Sequence, residues 1–233
     1  AEFNALKSNY NFKNSDLYVT MEPCVHYGQT PPCTNIIADK GIKRVFYSFN
    51  DVDKRTANKS TNILNKKKIK VIKKFSNNYH DFYQSYFLTK KKSIPFVDAK
   101  LAISKDYFTI KKNSKWITNY LSRYRTHLIR SEYDAIISTS KSINTDNSLL
   151  NCRLNGFDKR KPDLVIIDLN LEIKKKLNLF RKVYKRKIFI ATSVLKGKKI
   201  SYFKKKGIEI IPIKSLVTKN DFINLFMSLK KYG

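Results

Sequence analysis

Two kinds of hydrophobic spacing alternate along the chain. Compact apolar runs, "DLYVTM" (16–21), "KRVFYSF" (43–49) and "KIKVIKKF" (68–75), predict strands. Between them, "TNIIADKG" (34–41) and residues 58–67 predict helices, with Gly41 placed to end the first. Residues 78–89 predict an amphipathic helix rich in Tyr and Phe, and the opening "AEFNAL" reads as part of a helix. That alternation implies an α/β sheet. "TKKKSIP" (89–95) is polar, charged and closed by Pro95, which predicts a linker. A second series follows. "PFVDAKLAIS" (95–104), "YDAIIST" (133–139), "PDLVIID" (162–168), "KIFIAT" (187–192) and "IEIIPI" (208–213) predict strands. "TNYLSRYRTHLIR" (118–130) and "KNDFINLFMSLKKY" (219–232) predict helices. Two α/β domains are expected, over 1–90 and 95–233.

Charge changes the picture less than its size implies. The chain of 233 residues has 48 Lys and Arg against 18 Asp and Glu, a net charge of +30. Such a value raises nucleic acid as a partner. However, residues 1–94 carry 17 basic and 7 acidic residues, and the remainder 31 and 11, so the bias is general. Only nine of the basic residues are Arg, the residue that bidentate phosphate and base contacts favour. The charge reads as a solvated surface with room for small phosphate-bearing ligands. No apolar run of 18 residues occurs, so no membrane span is expected. Three cysteines and no visible signal peptide point to a reducing, cytoplasmic location. The start in mid-helix reads as a fragment boundary.

The densest chemistry lies in "TMEPCVHYGQTPPC" (20–33). Cys24 and Cys33 could be two ligands of a catalytic zinc, which takes three protein ligands and keeps one position for water. They could also serve a structural zinc, or none. Cys33 falls at a predicted helix start, where the dipole is expected to lower a thiol pKa. Zinc deaminases pair a Pro-Cys element with His-x-Glu. Here Ala1 and Glu2 open the chain, so the expected third ligand precedes Ala1, and Glu2 is the candidate proton carrier.

"AEFNAL", "LYVTMEPCVHYGQTPPCTNII" and "IKRVFYSFNDVD" resemble the deaminase half of the bifunctional riboflavin-biosynthesis deaminase/reductase family. The resemblance implies a cytidine-deaminase-like domain that hydrolytically deaminates a diaminopyrimidinone ribosylamine 5′-phosphate. It implies Cys24 and Cys33 as Zn2+ ligands, Glu2 as catalytic acid/base, and His26, Gln29, Asp51 and Asp53 on the substrate side. Gln29 stands where the family has Lys or Arg, and Asp53 where it has Asn.

The second half has no Gly-rich dinucleotide loop and no strong motif of its own. "IPFVDAKLAISKD", "SKWIT", "RYRTHLIRSEYDAIIST" and "NTDNSLLNCR" resemble the reductase half of the same family. That implies a dihydrofolate-reductase-like fold using NADPH to reduce a ribosyl chain to ribityl. Lys100, Arg123, Arg130 and Arg153 are the implied substrate contacts, with His127 on the same predicted helix as the first two arginines. Ser104, Asp106, Trp116, Thr118, Ser142 and Asp146 are the implied cofactor contacts. Tyr107, Thr139 and Ser148 depart from the family's Gly, Gly and Pro, and Ser142 from its Thr. The expected partner is a phosphorylated pyrimidine, with a homodimer implied by the family. Two other readings stay open: a nucleic-acid base deaminase, and a deaminase-only or degenerate homologue whose reductase half is inactive.

Overall fold

The structure is a computed structural model and describes residues 1–74, 76–109, 116–157, 161–181 and 186–232. The chain divides into two compact units, Ala1–Phe96 and Val97–Gly233.

The first unit is a parallel sheet of β1 (Asp16–Met21), β2 (Arg44–Phe49) and β3 (Lys70–Lys73), in that spatial order. Parallel neighbours need crossovers, supplied by α2 (Cys33–Asp39) and α3 (Ser60–Lys66). Leu17 stands opposite Val45, and Val45 opposite Val71. Leu6 of α1 (Glu2–Leu6), Ile37, Ile42, Val45, Leu64 and Ile69 form the buried core. Gly41 closes α2 at φ +66°, a conformation glycine adopts without a Cβ clash. Predicted strand residue Phe75 lies outside the described residues.

A short 3-10 turn (Asn77–Tyr79) leads into α4 (His80–Lys92), which runs through most of the predicted linker. Lys90, Lys91 and Lys92 form its last turn, where the helix dipole favours cations, and Ser93 ends it at φ +56°. The ring of Phe49 meets those of Tyr83 and Phe87 at 6.0 and 5.9 Å.

The second unit holds β4 (Ala135–Thr139), β5 (Asp163–Ile167), β6 (Ile188–Thr192) and β7 (Glu209–Pro212), all parallel and in sequence order. Leu164 and Ile166 join one buried cluster, with Ile143, Ile173, Ile190, Ile200 and Phe203. Val165 faces the other way, into a second cluster with Phe189, Ala191, Ile211 and Leu225. Burial on both faces explains why these strands read as unbroken apolar runs. Asp168, buried just past β5, accepts from the Ser140 hydroxyl at 2.9 Å and the Glu172 and Ile173 N–H groups at 2.8 Å each. The helices are α5 (Tyr120–Glu132), α6 (Ser140–Asp146), α7 (Asn178–Arg181), α8 (Lys198–Lys205) and α9 (Lys219–Leu229). Thr218 and Asp221 make a reciprocal capping box at the start of α9.

One predicted strand is absent: residues 95–104 form no ladder. β4, at the sheet edge, pairs only with β5 among the described residues. An extended segment without a paired neighbour gains none of the cross-strand bonding that defines a strand. No helix among the described residues is long and apolar enough to cross a membrane.

Candidate functional site

Parallel strands deliver their following loops to one edge, and the candidate chemistry of the first unit collects there. Met21 of β1 lies opposite Phe49 of β2. Past them run the cysteine loop and the segment 50–60. Cys33 opens α2, and its backbone N–H donates to the Cys24 sulfur at 3.2 Å. Glu2 opens α1, with Oε2 3.6 Å from the Cys33 sulfur. The expected acidification of Cys33 is reversed. Burial, then the Cys24 sulfur and the Glu2 carboxylate, push the thiol up to about 12. A partial helix dipole on a seven-residue helix does not offset burial beside two electron-rich neighbours. A thiol held up as Cys33 is gives its proton up most readily in exchange for a cation. Two soft sulfurs side by side are the donor type zinc selects, so the pair fits zinc as part of its ligand set. Among the described residues, no group of three or more His, Cys, Asp and Glu could hold a metal.

The opposite wall is bonded at every level. His26 Nδ1 lies 3.0 Å from Thr56 Oγ1. Asp51 Oδ1 accepts from Tyr86 Oη at 2.7 Å and from the Asp53 N–H at 2.9 Å. Asp53 is paired with Arg55 at 2.6 Å and Lys90 at 3.1 Å. Arg55 first, and Lys90 after it, hold the Asp53 carboxyl well below the usual carboxylate range. Its charge is therefore neutralised locally rather than presented as a bare anion. Gln29 is exposed on the cysteine loop. Glu22 and Tyr86 carry no role in the sequence reading, although Glu22 sits inside its best motif.

In the second unit the predicted residues fall into separate groups. Arg130 Nη1 donates to the Asn151 carbonyl at 3.3 Å, and Arg153 Nη1 to Asn151 Oδ1 at 3.0 Å. Arg153 Nη2 lies 3.3 Å from His127 Nε2. Burial and then Arg130 lower the Lys100 pKa. Burial, then Arg153 and Arg130, lower that of His127. Burial and then Arg153 lower that of Arg130. Arg130, Arg153 and His127 thus meet at Asn151, with Lys100 beside Arg130, and among the described residues no carboxylate acts on the shifted Lys100, His127 and Arg130. Asn151 lies inside "NTDNSLLNCR", but nothing in that stretch marks its role, which shows only once the fold brings Arg130 to it.

Arg123 lies over the Trp116 ring at 4.7 Å and donates to the Thr118 carbonyl at 2.6 Å. Ser104 bonds Asp106 at 2.5 Å inside a turn that also accepts the Phe108 N–H at 2.9 Å. Ser142 donates its N–H to Thr139, the cap of α6, at 3.3 Å, and exposed Asp146 ends that helix. The Ser114 and Lys115 part of "SKWIT" lies outside the described residues.

A family model described as the RibD C-terminal domain matches residues 95–233, more than half of the chain. This chain belongs to the RibD family. Riboflavin biosynthesis protein RibD of Actinobacillus pleuropneumoniae is 29% identical over 240 residues, covering 100% of this chain and 62% of that protein. RibD of Bacillus amyloliquefaciens is 35% identical over 170 residues, 72% of this chain and 46% of its own length. The chain therefore spans less than two thirds of these relatives. A solved structure of a diaminohydroxyphosphoribosylaminopyrimidine deaminase/5-amino-6-(5-phosphoribosylamino)uracil reductase from Thermotoga maritima superposes with a TM-score of 0.83 at 25% identity. It covers 100% of this chain and 63% of its own. An Acinetobacter baumannii RibD structure gives 0.82 at 24% identity, which shows the shared fold.

Proposed function

We propose that this RibD chain is the greater part of a two-step enzyme of riboflavin synthesis. Its second unit reduces the ribosyl group of a phosphorylated aminopyrimidine; its first unit prepares that substrate by deamination. The observation that carries the reading is the meeting of His127, Arg130 and Arg153 at Asn151, with Lys100 near Arg130. Lys100, Arg130 and Arg153, crowded together with no carboxylate among the described residues acting on Lys100 or Arg130, raise the local positive potential, and an anionic ligand relieves it. Two planar guanidinium groups, both bonded to one asparagine, are matched to a phosphate.

In the first unit, Cys24 and Cys33 would hold zinc with a third ligand from the residue preceding Ala1. When bound, zinc supplies a Lewis acid that activates water for hydrolysis. Glu2 carries the proton from that water to the leaving amine. His26 and Asp51 orient the pyrimidine ring, their positions fixed by Thr56 and Tyr86. In the second unit, NADPH supplies hydride when bound. The exposed Trp116 indole with Arg123 against it fits, in kind, a flat ring joined to phosphates. Ser104, Asp106, Thr118, Ser142 and Asp146 are the remaining contacts proposed for that cofactor. The family's homodimer and a cytoplasmic location belong to the same proposal.

The test uses the full-length protein with zinc. Ammonia release from the diaminopyrimidinone ribosylamine phosphate, followed by NADPH oxidation that depends on the deaminated product, is the expected result. Ammonia release without NADPH oxidation would leave a deaminase only. That second reading is favoured by Tyr107, whose exposed ring stands beside Ser104 and Asp106 where the family has glycine.

A further inference from the structure

Glu22 is a buried carboxylate, 3% exposed, two residues from Cys24, and it carries none of the proposed chemistry. A buried carboxylate is costly unless hydrogen bonds satisfy it, so its partners define its purpose. Oε2 accepts from the Asp51 N–H at 3.1 Å and the Asn58 N–H at 3.0 Å. Oε1 accepts from the Ser60 N–H at 3.1 Å and the Ser60 hydroxyl at 3.0 Å. The Glu22 N–H is itself fixed, donating to the Phe49 carbonyl at 2.8 Å. One side chain therefore ties both ends of the segment 50–60 to the base of the cysteine loop.

That segment presents every candidate substrate contact on its side of the site. It carries Asp51 and Asp53, and its Thr56 bonds His26. α4 holds it from outside through Tyr86 and Lys90. We infer that Glu22 is the positioning residue for this wall: it sets where Asp51 and Thr56 stand relative to the two cysteines. The inference rests on the deaminase reading of the first unit for its consequence, but not for the bonding itself. Glutamine cannot replace the carboxylate. Its amide has one acceptor oxygen, and its NH2 would face an N–H donor.

The test compares wild type, Glu22→Gln and Ser60→Ala in the zinc-loaded full-length protein. Each is assayed for zinc content, deamination kinetics and hydrogen exchange of the amides in residues 50–60. For Glu22→Gln, KM is expected to rise about tenfold, the size of one lost bond to a charged acceptor. Zinc content and kcat should stay near wild type, and the amides of Asp51, Asn58 and Ser60 should exchange faster. Ser60→Ala removes one donor only and should raise KM about threefold, which keeps the test open if Glu22→Gln does not fold. Unchanged KM and exchange in the variants, or loss of zinc with kcat falling at constant KM, overturns the inference. If wild type releases no ammonia, the deaminase reading fails. Faster exchange of those amides in Glu22→Gln then still upholds the holding role, and unchanged exchange ends it.

Discussion

The Cys33 backbone N–H donates to the Cys24 sulfur across a loop of eight intervening residues, at 3.2 Å. The bond holds the Cys24 sulfur at the start of α2, beside the Cys33 side chain. Burial, then the Cys24 sulfur and Glu2, push the Cys33 thiol up, and a bound metal would take the place of its proton. The full-length protein is expected to retain about one zinc per chain. Cys24→Ala and Cys33→Ala should each lose it, as measured by metal analysis after dialysis. Retention of zinc by both variants would remove the metal role from the pair.

Tyr107 adopts φ +66° in the turn in which its N–H donates to the Ser104 carbonyl at 3.0 Å. The Ser104 N–H closes the turn on the Phe108 carbonyl at 2.8 Å. A left-handed backbone costs a side-chain-bearing residue about 1–2 kcal/mol, and glycine little. Part of that advantage is cancelled by glycine's greater freedom when unfolded. Tyr107→Gly is therefore expected to stabilise the second unit by about 0.5–1 kcal/mol in denaturant unfolding. A destabilised variant would show that the exposed ring contributes more than the strain costs.

Much of the fold was legible because its strands are buried on both faces, as in "LVII" and "IFIA", and its crossovers are amphipathic. α8 shows what escapes: it buries only Ile200 and Phe203 among six lysine, serine and tyrosine positions, too thin a stripe to read. Residues 95–104 escaped for the opposite reason. Their apolar spacing is strand-like, but a strand also needs a neighbour, which local sequence does not encode. The site divides the same way. Cys24, Cys33 and Glu2 were readable as a spaced motif. Glu22, Tyr86 and Asn151 each bond a partner 21 to 38 positions away, and the fold reveals what they do.

His127 gives the cationic group a pH dependence. Burial, then Arg153 and Arg130, depress its pKa below the ordinary 6.5, and Lys100 adds charge beside Arg130. A base with a lowered folded-state pKa binds fewer protons when folded than when unfolded. Its neutral form carries the stability, which is complete above about 6.5 and declines as pH falls toward the depressed folded value. His127→Gln should flatten the stability profile below that point. In an imidazole titration by NMR, His127 should titrate below 6.5. A His127 midpoint at or above 6.5 would contradict this electrostatic picture.

Arg153 offers the sharpest check on the phosphate reading, because its two Nη atoms are held by different partners. Nη1 reaches Asn151 Oδ1 at 3.0 Å, and Nη2 meets His127 Nε2 at 3.3 Å, so the guanidinium plane is set before any ligand arrives. Lysine keeps the charge but cannot reproduce that fork. In the full-length protein, Arg153→Lys is expected to weaken binding of the 5′-phosphorylated product about tenfold, and Arg153→Ala about a hundredfold. These losses correspond to one charged hydrogen bond and to the whole contact. Binding of the dephosphorylated analogue, already weak, should change little in either variant. Calorimetric titration of the four combinations separates the cases. If both variants lose affinity equally for the phosphorylated and dephosphorylated molecules, Arg153 supports the fold and does not bind the phosphate.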